Sequence, residues 1–186
     1  MKKIKLSKRK ATLRSAWWQA QMSALRHCSF CGGKLSGKWV PNEKKKRLVC
    51  NQCMGITYTN PKVVAGVIPI MPDGKIVLLR RDIEPAKGKW TFPAGYQEMK
   101  ETVEECAARE TYEEICVKVS SLTLLGIYSY RDAGTVTIIY SAKVKKGEKP
   151  AAGQESQEVA VFACDQIPWK ELAFRSTHHA LKDFLK

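Results

Sequence analysis

The stretch GYQEMKETVEECAARETYEEICV, residues 95–117, constrains this chain more than any other segment. Thr102 and Glu105 form a T-x-x-E capping box, which starts a helix at Val103. At about 100° per residue with Val103 at zero, Ala107 falls at about 40° and Thr111 at about 80°. On the same wheel Glu114 falls at about 20°, Glu110 at about 340° and Glu113 at about 280°. The three carboxylates thus share one arc, and two of them flank the apolar line that such a helix buries. A solvated face would mix acids with lysines four residues apart, whereas this helix has no lysine and Arg109 is its only cation. Carboxylates this close raise one another's pKa. A hard divalent cation with oxygen ligands relieves the repulsion. Mg²⁺ is the natural candidate because it accepts a few carboxylates, keeps waters and bridges to substrate phosphates. An acidic helix facing solvent is the alternative, and helix geometry alone leaves both readings open.

A second constellation lies upstream. CSFCGGKL and LVCNQC supply Cys28, Cys31, Cys50 and Cys53, a C-x2-C pair, 18 residues, then another C-x2-C pair. The spacing is that of a four-thiolate Zn²⁺ site, each pair turning tightly so that two sulfurs reach one tetrahedral ion. Gly32 and Gly33 relax the backbone after the first pair. Two disulfides or two redox pairs are the competing readings; a reducing compartment disfavours the first, and the paired spacing disfavours the second. A segment this short cannot build its own core, so the metal contributes much of its folding energy. Completing the fold or making a dimer contact ranks ahead of nucleic-acid binding as its role. Cys106, Cys116 and Cys164 show no ligand spacing and read as buried small apolar residues.

Charge is distributed unevenly. The 186 residues carry a formal +14, yet the first 49 hold 14 Lys and Arg against Glu43 alone, and the other 18 basic residues face 17 acids. Residues 1–27 read as a basic arm with eight cations and no acid. The apolar part, AWWQAQMSAL, is too short and polar for a secretory signal, so a cytoplasmic location is expected, with organelle targeting as the alternative. A solvated arm that touches nucleic acid weakly through counterion release is the plain reading. Trp17 and Trp18 could stack on a base, although packing is their more ordinary use. No run is long enough to span a membrane.

From Tyr58 onward short strands alternate with turns. KVVAGVIPIM, KIVLLRR, LTLLGIYSY, TVTIIYSAKV and EVAVF read as strands, PDG supplies turn chemistry, and THHALKDFLK is a terminal helix with Thr177 or Ser176 as N-cap. Strands on both sides of a central helix, followed by a terminal helix, indicate an α/β fold with a mixed sheet between helices. The expected organisation is an arm over 1–27, a zinc ribbon over 28–57 and a larger domain over 58–186.

The acidic stretch also resembles the Nudix box, G-x5-E-x7-R-E-U-x-E-E-x-G-U, where U is a bulky apolar residue. Gly95, Glu101, Arg109, Glu110, Glu113, Glu114 and Val117 match; Thr111 stands at the first U and Cys116 at the second glycine. These two departures bear on packing and the helix exit and remove no ligand. The resemblance implies a Nudix α/β/α sandwich preceded by the small ribbon. It also implies catalytic Mg²⁺ (or Mn²⁺) held by Glu110, Glu113 and Glu114 with a backbone carbonyl of the glycine loop, that of Ala94 or Gly95, with Gly95 as the expected ligand. Glu101 and Arg109 would orient the carboxylates. A general base would come from outside the box, Glu155 first and Glu158 second. The reaction implied is cleavage of a nucleoside diphosphate linked to another group.

YTNPKVVAGVIP, GKWTFPAGY and LAFRSTHHAL resemble the FAD and ADP-ribose pyrophosphatase branch with a zinc ribbon. NADH pyrophosphatases carry an SQPWPFPxS motif after the box that is not found here, so NADH ranks lower. Nucleoside triphosphate hydrolysis, or a nucleotide-sensing, RNA-associated role using the arm, are the alternatives. Trp90, Phe92 and Tyr130 are stacking candidates that read first as core. The family often forms homodimers, so a dimer is also an expectation.

Overall fold

The computed structural model describes residues 25–186, and most of the basic arm, including Trp17 and Trp18, lies outside the described residues. Two compact units divide the chain between Asn60 and Pro61, with Asp132–Gly134 grouped with the first. The first unit is a three-stranded antiparallel sheet, β1 (Leu35–Val40), β2 (Lys45–Cys50) and β3 (Ile56–Thr57), in the order β1-β2-β3. The β1–β2 connection is a 3₁₀ turn over Pro41–Glu43, closed by Lys44 in the left-handed region. Cys28, Leu35 and Cys50 are buried together, so the small core of this unit is built around its sulfurs.

The second unit contains a seven-stranded mixed sheet. Its main path is β10-β5-β4-β9-β8, formed by β4 (Lys62–Ile70), β5 (Ile76–Arg81), β8 (Val119–Ser129), β9 (Thr135–Val144) and β10 (Ser156–Phe162). The short strands β6 (Trp90–Thr91) and β7 (Ala94–Tyr96) pair with β5 and β4. Only β4 and β9 run parallel along that path; β5, β8 and β10 join their neighbours antiparallel. The PDG turn forms as expected, with Gly74 at φ +83 and its N–H donating to the Met71 carbonyl.

Two helices cover the sheet, and the period-2 alternation of the strands decides which residues each one meets. Helix α1 (Val103–Ile115) packs Cys106 and Ala107 on Ala65, Val67, Tyr140 and Ala142, while Ile115 meets Val77, Leu79 and Val144. The intervening residues Ile68, Ile76, Leu78 and Ile139 point to the other face, where Ala180 and Leu181 of helix α2 (Arg175–Phe184) close a core with Trp90 and Phe92. The result is the expected α/β/α sandwich. Trp90 and Phe92 are core residues, and Tyr130 is half-buried with its hydroxyl 2.7 Å from His179 Nδ1.

The capping box of α1 forms in both directions: Glu105 N donates to Thr102 Oγ1 at 3.2 Å and Thr102 N to Glu105 Oε2 at 2.8 Å. Thr111 fills its apolar slot fully buried, its hydroxyl donating to the Ala107 carbonyl at 2.7 Å. Cys116 takes the left-handed C-cap conformation (φ 57, ψ 27) that a glycine would adopt without strain. It is exposed and Cys164 is half-buried, so of the three unpaired cysteines only Cys106 is the buried apolar residue expected. Helix α2 starts earlier than the sequence suggested: Phe174 is its N-cap, without a side-chain bond. Thr177 lies inside the first turn because its hydroxyl is committed to a buried contact with Thr91 Oγ1 at 3.0 Å.

No helix among the described residues is long and apolar enough to cross a membrane.

Candidate active site

The acidic face of α1 is organised by one guanidinium. Arg109 holds Glu101 through Nε to Oε2 at 3.0 Å and Nη2 to Oε1 at 2.7 Å, the paired geometry that matches the two groups best. Its Nη1 donates to Glu110 Oε1 at 2.7 Å and Glu113 Oε2 at 3.0 Å, and its Nη2 reaches the Tyr96 carbonyl at 3.2 Å. Glu101 also accepts from Glu98 N at 2.7 Å. Arg109, helped by that N–H, lowers the Glu101 carboxyl to about 2, and the carboxylates in turn raise the arginine. Glu101 therefore stays ionised and fixes the arginine that spaces two further carboxylates.

Glu114 occupies a different setting. It is 4% exposed and accepts from Ala94 N at 2.8 Å. Burial pushes its carboxyl up to about 8 despite that bond, with the charges of Glu110 and Glu155 adding to the rise. Burial also raises Glu110. Glu113 remains 54% exposed. Among the described residues only the four cysteines bring three or more ligand atoms within 4.8 Å of one another, since Glu110 and Glu113 lie on Arg109 and Glu114 on β7. The donor set is nonetheless all carboxylate and carbonyl oxygen, with one carboxyl pushed toward neutrality by burial. That is the chemistry a hard divalent cation fits.

The glycine strand explains two sequence features. A Cβ at Gly95 would fall on the Glu110 carboxylate, so glycine lets β7 pass beneath that carboxylate where it now lies. The register distinguishes the two candidate carbonyls. Val67 N donates to Pro93 O and Gln97 N to Val63 O, which places Gly95, paired with Ala65, at a hydrogen-bonded ladder position. The Gly95 carbonyl therefore points along the sheet toward β4. Ala94 turns its N–H and C=O the other way, as its bond to Glu114 shows, so the carbonyl directed toward the acidic cluster is that of Ala94 and not of Gly95.

The loop before β10 is fastened to the end of α1. Ala151 N donates to Ile115 O, Gly153 N to Glu114 O, and Ser156 Oγ to Glu114 O at 2.8 Å. Glu155 is exposed on this loop, its carbonyl accepts from Asp82 N at 2.9 Å, and its charge is felt by both Glu110 and Glu114. Glu158 does not share that environment: it lies 3.6 Å from Arg80, which stacks on Trp90 of the α2-side core.

Sequence reasoning missed Arg81. It is 8% exposed at the end of β5, its Nε donates to the Pro85 carbonyl at 3.0 Å, and its guanidinium lies over the Phe174 ring. Its charge is felt at Glu114, where it opposes the rise that burial causes. Strand parity could have separated it from Arg80, because Val77, Leu79 and Arg81 alternate with Ile76, Leu78 and Arg80.

In the first unit the four cysteine sulfurs lie within 4.8 Å of one another. Gln52 N and Cys53 N point at Cys50 Sγ, at 3.4 and 3.5 Å, and the backbone N–H groups lower that thiol to about 6. At Cys31 the Gly33 N–H favours the thiolate, but the Cys53 and Cys50 sulfurs outweigh it and drive the group up to about 11. Four sulfurs so close need a cation to ionise together, and a tetrahedral zinc ion fits the set. Gly33 is required by proximity, since a Cβ there would meet Cys50 Sγ at 2.8 Å.

Comparison with known proteins gives the family. The NUDIX domain family matches residues 60–183, and the zinc-ribbon family described as Nudix N-terminal matches 26–59. The ADP-ribose pyrophosphatase of Methanocaldococcus jannaschii is 34% identical over 133 residues, 69% of this chain and 76% of its own length. The NAD-capped RNA hydrolase NudC of Pseudomonas aeruginosa is 27% identical over 143 residues, 77% of this chain; this match spans half the length of that relative. A crystal structure of a NUDIX hydrolase from Nitrosomonas europaea superposes with a TM-score of 0.78 at 39% identity, covering 85% of this chain and 89% of that one. An enzymatic α/β/α unit with its acidic box in place, preceded by a four-cysteine ribbon, identifies the chain as a member of the Nudix hydrolase family.

Proposed function

We propose that the chain catalyses Mg²⁺-dependent hydrolysis of the diphosphate bond in ADP-ribose or a related dinucleotide such as FAD, releasing a nucleoside monophosphate and a phosphorylated product. The observation that carries this reading is the arrangement of Glu110 and Glu113 on Arg109 beside buried Glu114, which is tied to the Ala94 N–H of β7. Glu110, Glu113, Glu114 and the Ala94 carbonyl would hold the cation. When bound, the ion neutralises the diphosphate and lowers the pKa of the attacking water. Glu101 and Arg109 keep the carboxylates placed. Glu155 accepts the proton of the water as it attacks one phosphorus, and the bridging P–O bond breaks. Arg81 supplies a positive charge at the buried end of the site for a phosphate oxygen. In the ribbon, Zn²⁺ on Cys28, Cys31, Cys50 and Cys53 serves folding.

ADP-ribose ranks ahead of FAD because the relative at 34% identity is named for it. A second reading, cleavage of a diphosphate at the end of an RNA chain, is favoured by the match to NAD-capped RNA hydrolases. The test is a Mg²⁺-containing panel of ADP-ribose, FAD, NADH, NAD-capped RNA and nucleoside triphosphates, with wild type beside Glu114→Gln. Release of AMP from ADP-ribose by wild type and its loss in the variant is the expected result. Undiminished cleavage by Glu114→Gln would sink the metal assignment, and turnover confined to triphosphates would sink the substrate class.

A further inference from the structure

The ribbon carries a surface that includes none of the residues assigned above to diphosphate cleavage. Residues 25–60 contain seven Lys and Arg against Glu43 alone, a net +6. Four thiolates around one Zn²⁺ carry −2 together, which still leaves the unit at +4. Glu43 is itself engaged, accepting from Arg47 Nε at 2.7 Å and from the Tyr58 hydroxyl at 2.8 Å. Lys44, Lys45 and Lys46 all face solvent. Aromatic rings stand exposed among these charges: Trp39 is 60% exposed, Tyr58 55% and Phe30 90%.

The register sets Trp39 directly opposite Lys46, and Gly37 opposite Leu48, on one face of the β1–β2 hairpin. A shallow groove of about 210 Å³ runs over this region, lined by Gly37, Lys46, Arg47, Leu48, Thr57 and Thr59. Gly37 is the informative residue. Its φ lies outside the left-handed region, and a Cβ there would meet no atom of the described residues within 4 Å. Neither the backbone nor packing among the described residues calls for glycine, which only weakens a strand unless something else approaches it.

We propose that this hairpin face binds a single-stranded nucleic acid: Trp39 offers a stacking platform for an unpaired base, Lys46 beside it meets a phosphate, and Gly37 leaves the groove floor open to the chain. Charge complementarity selects a polyanion, and the exposed aromatic surface selects one whose bases are unpaired. Duplexes keep their bases stacked and offer only phosphates. The inference does not rest on the diphosphate reading.

The experiment is fluorescence anisotropy of labelled oligonucleotides of roughly 12 nucleotides, a length that covers one compact binding unit. It uses single-stranded RNA, single-stranded DNA and the duplex, each titrated with the full zinc-loaded chain. Single strands should bind more tightly than duplex and quench tryptophan emission, and the RNA and DNA arms show which strand is preferred. Trp39→Ala should weaken binding by about fivefold or more. Gly37→Val should weaken it similarly while leaving zinc content unchanged and thermal stability equal or higher, because valine suits a strand. Lys46→Glu should flatten the salt dependence. The basic segment before residue 25 is common to all variants, so differences among them report on the hairpin. Binding by Trp39→Ala and Gly37→Val within about twofold of wild type, or duplex bound as tightly as single strand, overturns the proposal.

Discussion

Arg109 and Glu101 are joined side by side through two hydrogen bonds of 3.0 and 2.7 Å, and the remaining nitrogen of the same guanidinium reaches both Glu110 and Glu113. A lysine carries the charge but not the fork, so it can serve only part of this set. Arg109→Lys should retain the fold and lose about 10- to 100-fold in kcat/KM through misplaced carboxylates. Circular dichroism beside steady-state kinetics checks it, and near-wild-type turnover would show that the fork is dispensable.

Gly95 tests whether the strand and the helix must touch. Alanine at this position puts a methyl group where the Glu110 carboxylate now lies, so the side chain must swing away or β7 must shift. Gly95→Ala should cost activity far more than stability: a loss of about 100-fold or more in kcat with only a modest fall in melting temperature. Restored activity at high Mg²⁺ would indicate that Glu110 is displaced but still available.

Cys116 offers the opposite case, a residue at odds with its backbone. It sits at φ 57 as the C-cap of α1, exposed and with little packing to lose. Cys116→Gly should stabilise the protein by about 1 kcal/mol, read from a higher urea midpoint with unchanged slope.

What the sequence made legible was whatever local chemistry decides. The capping box, the strand alternation and the cysteine spacing each involve residues close in sequence, and the structure contains all three. What the sequence misread or left open depends on partners far along the chain. Thr177 looks like an N-cap until Thr91, 86 residues away, claims its hydroxyl. Ala94 and Gly95 are equivalent as carbonyl donors until the pairing with β4 assigns alternate carbonyls to opposite sides. Arg80 and Arg81 differ only by strand parity, and parity acquires meaning once α1 is known to cover the Val77–Leu79 face. The exposure of Trp39 and the open space over Gly37 likewise carry no signal in a string of letters.

The last prediction concerns protons at Glu114. Without metal, burial raises its carboxyl from 4.5 to about 8, so the folded chain keeps a proton that the unfolded chain releases. Such a group contributes stability that is fully present below its unfolded pKa and lost as pH rises through the folded value. In buffer free of Mg²⁺, with the ribbon zinc left in place, stability should therefore decline between about pH 5 and pH 8. Glu114→Gln, whose amide does not titrate, should flatten that decline. A metal ligand must instead be ionised, so Mg²⁺ uptake at about pH 7 should release a proton, and affinity should climb toward about pH 8. Calorimetry in two buffers of different ionisation enthalpy measures the proton directly. Equal apparent enthalpies in both buffers would mean that no proton leaves on binding, and would overturn the assignment of Glu114 as a protonated carboxyl that ionises to bind the metal.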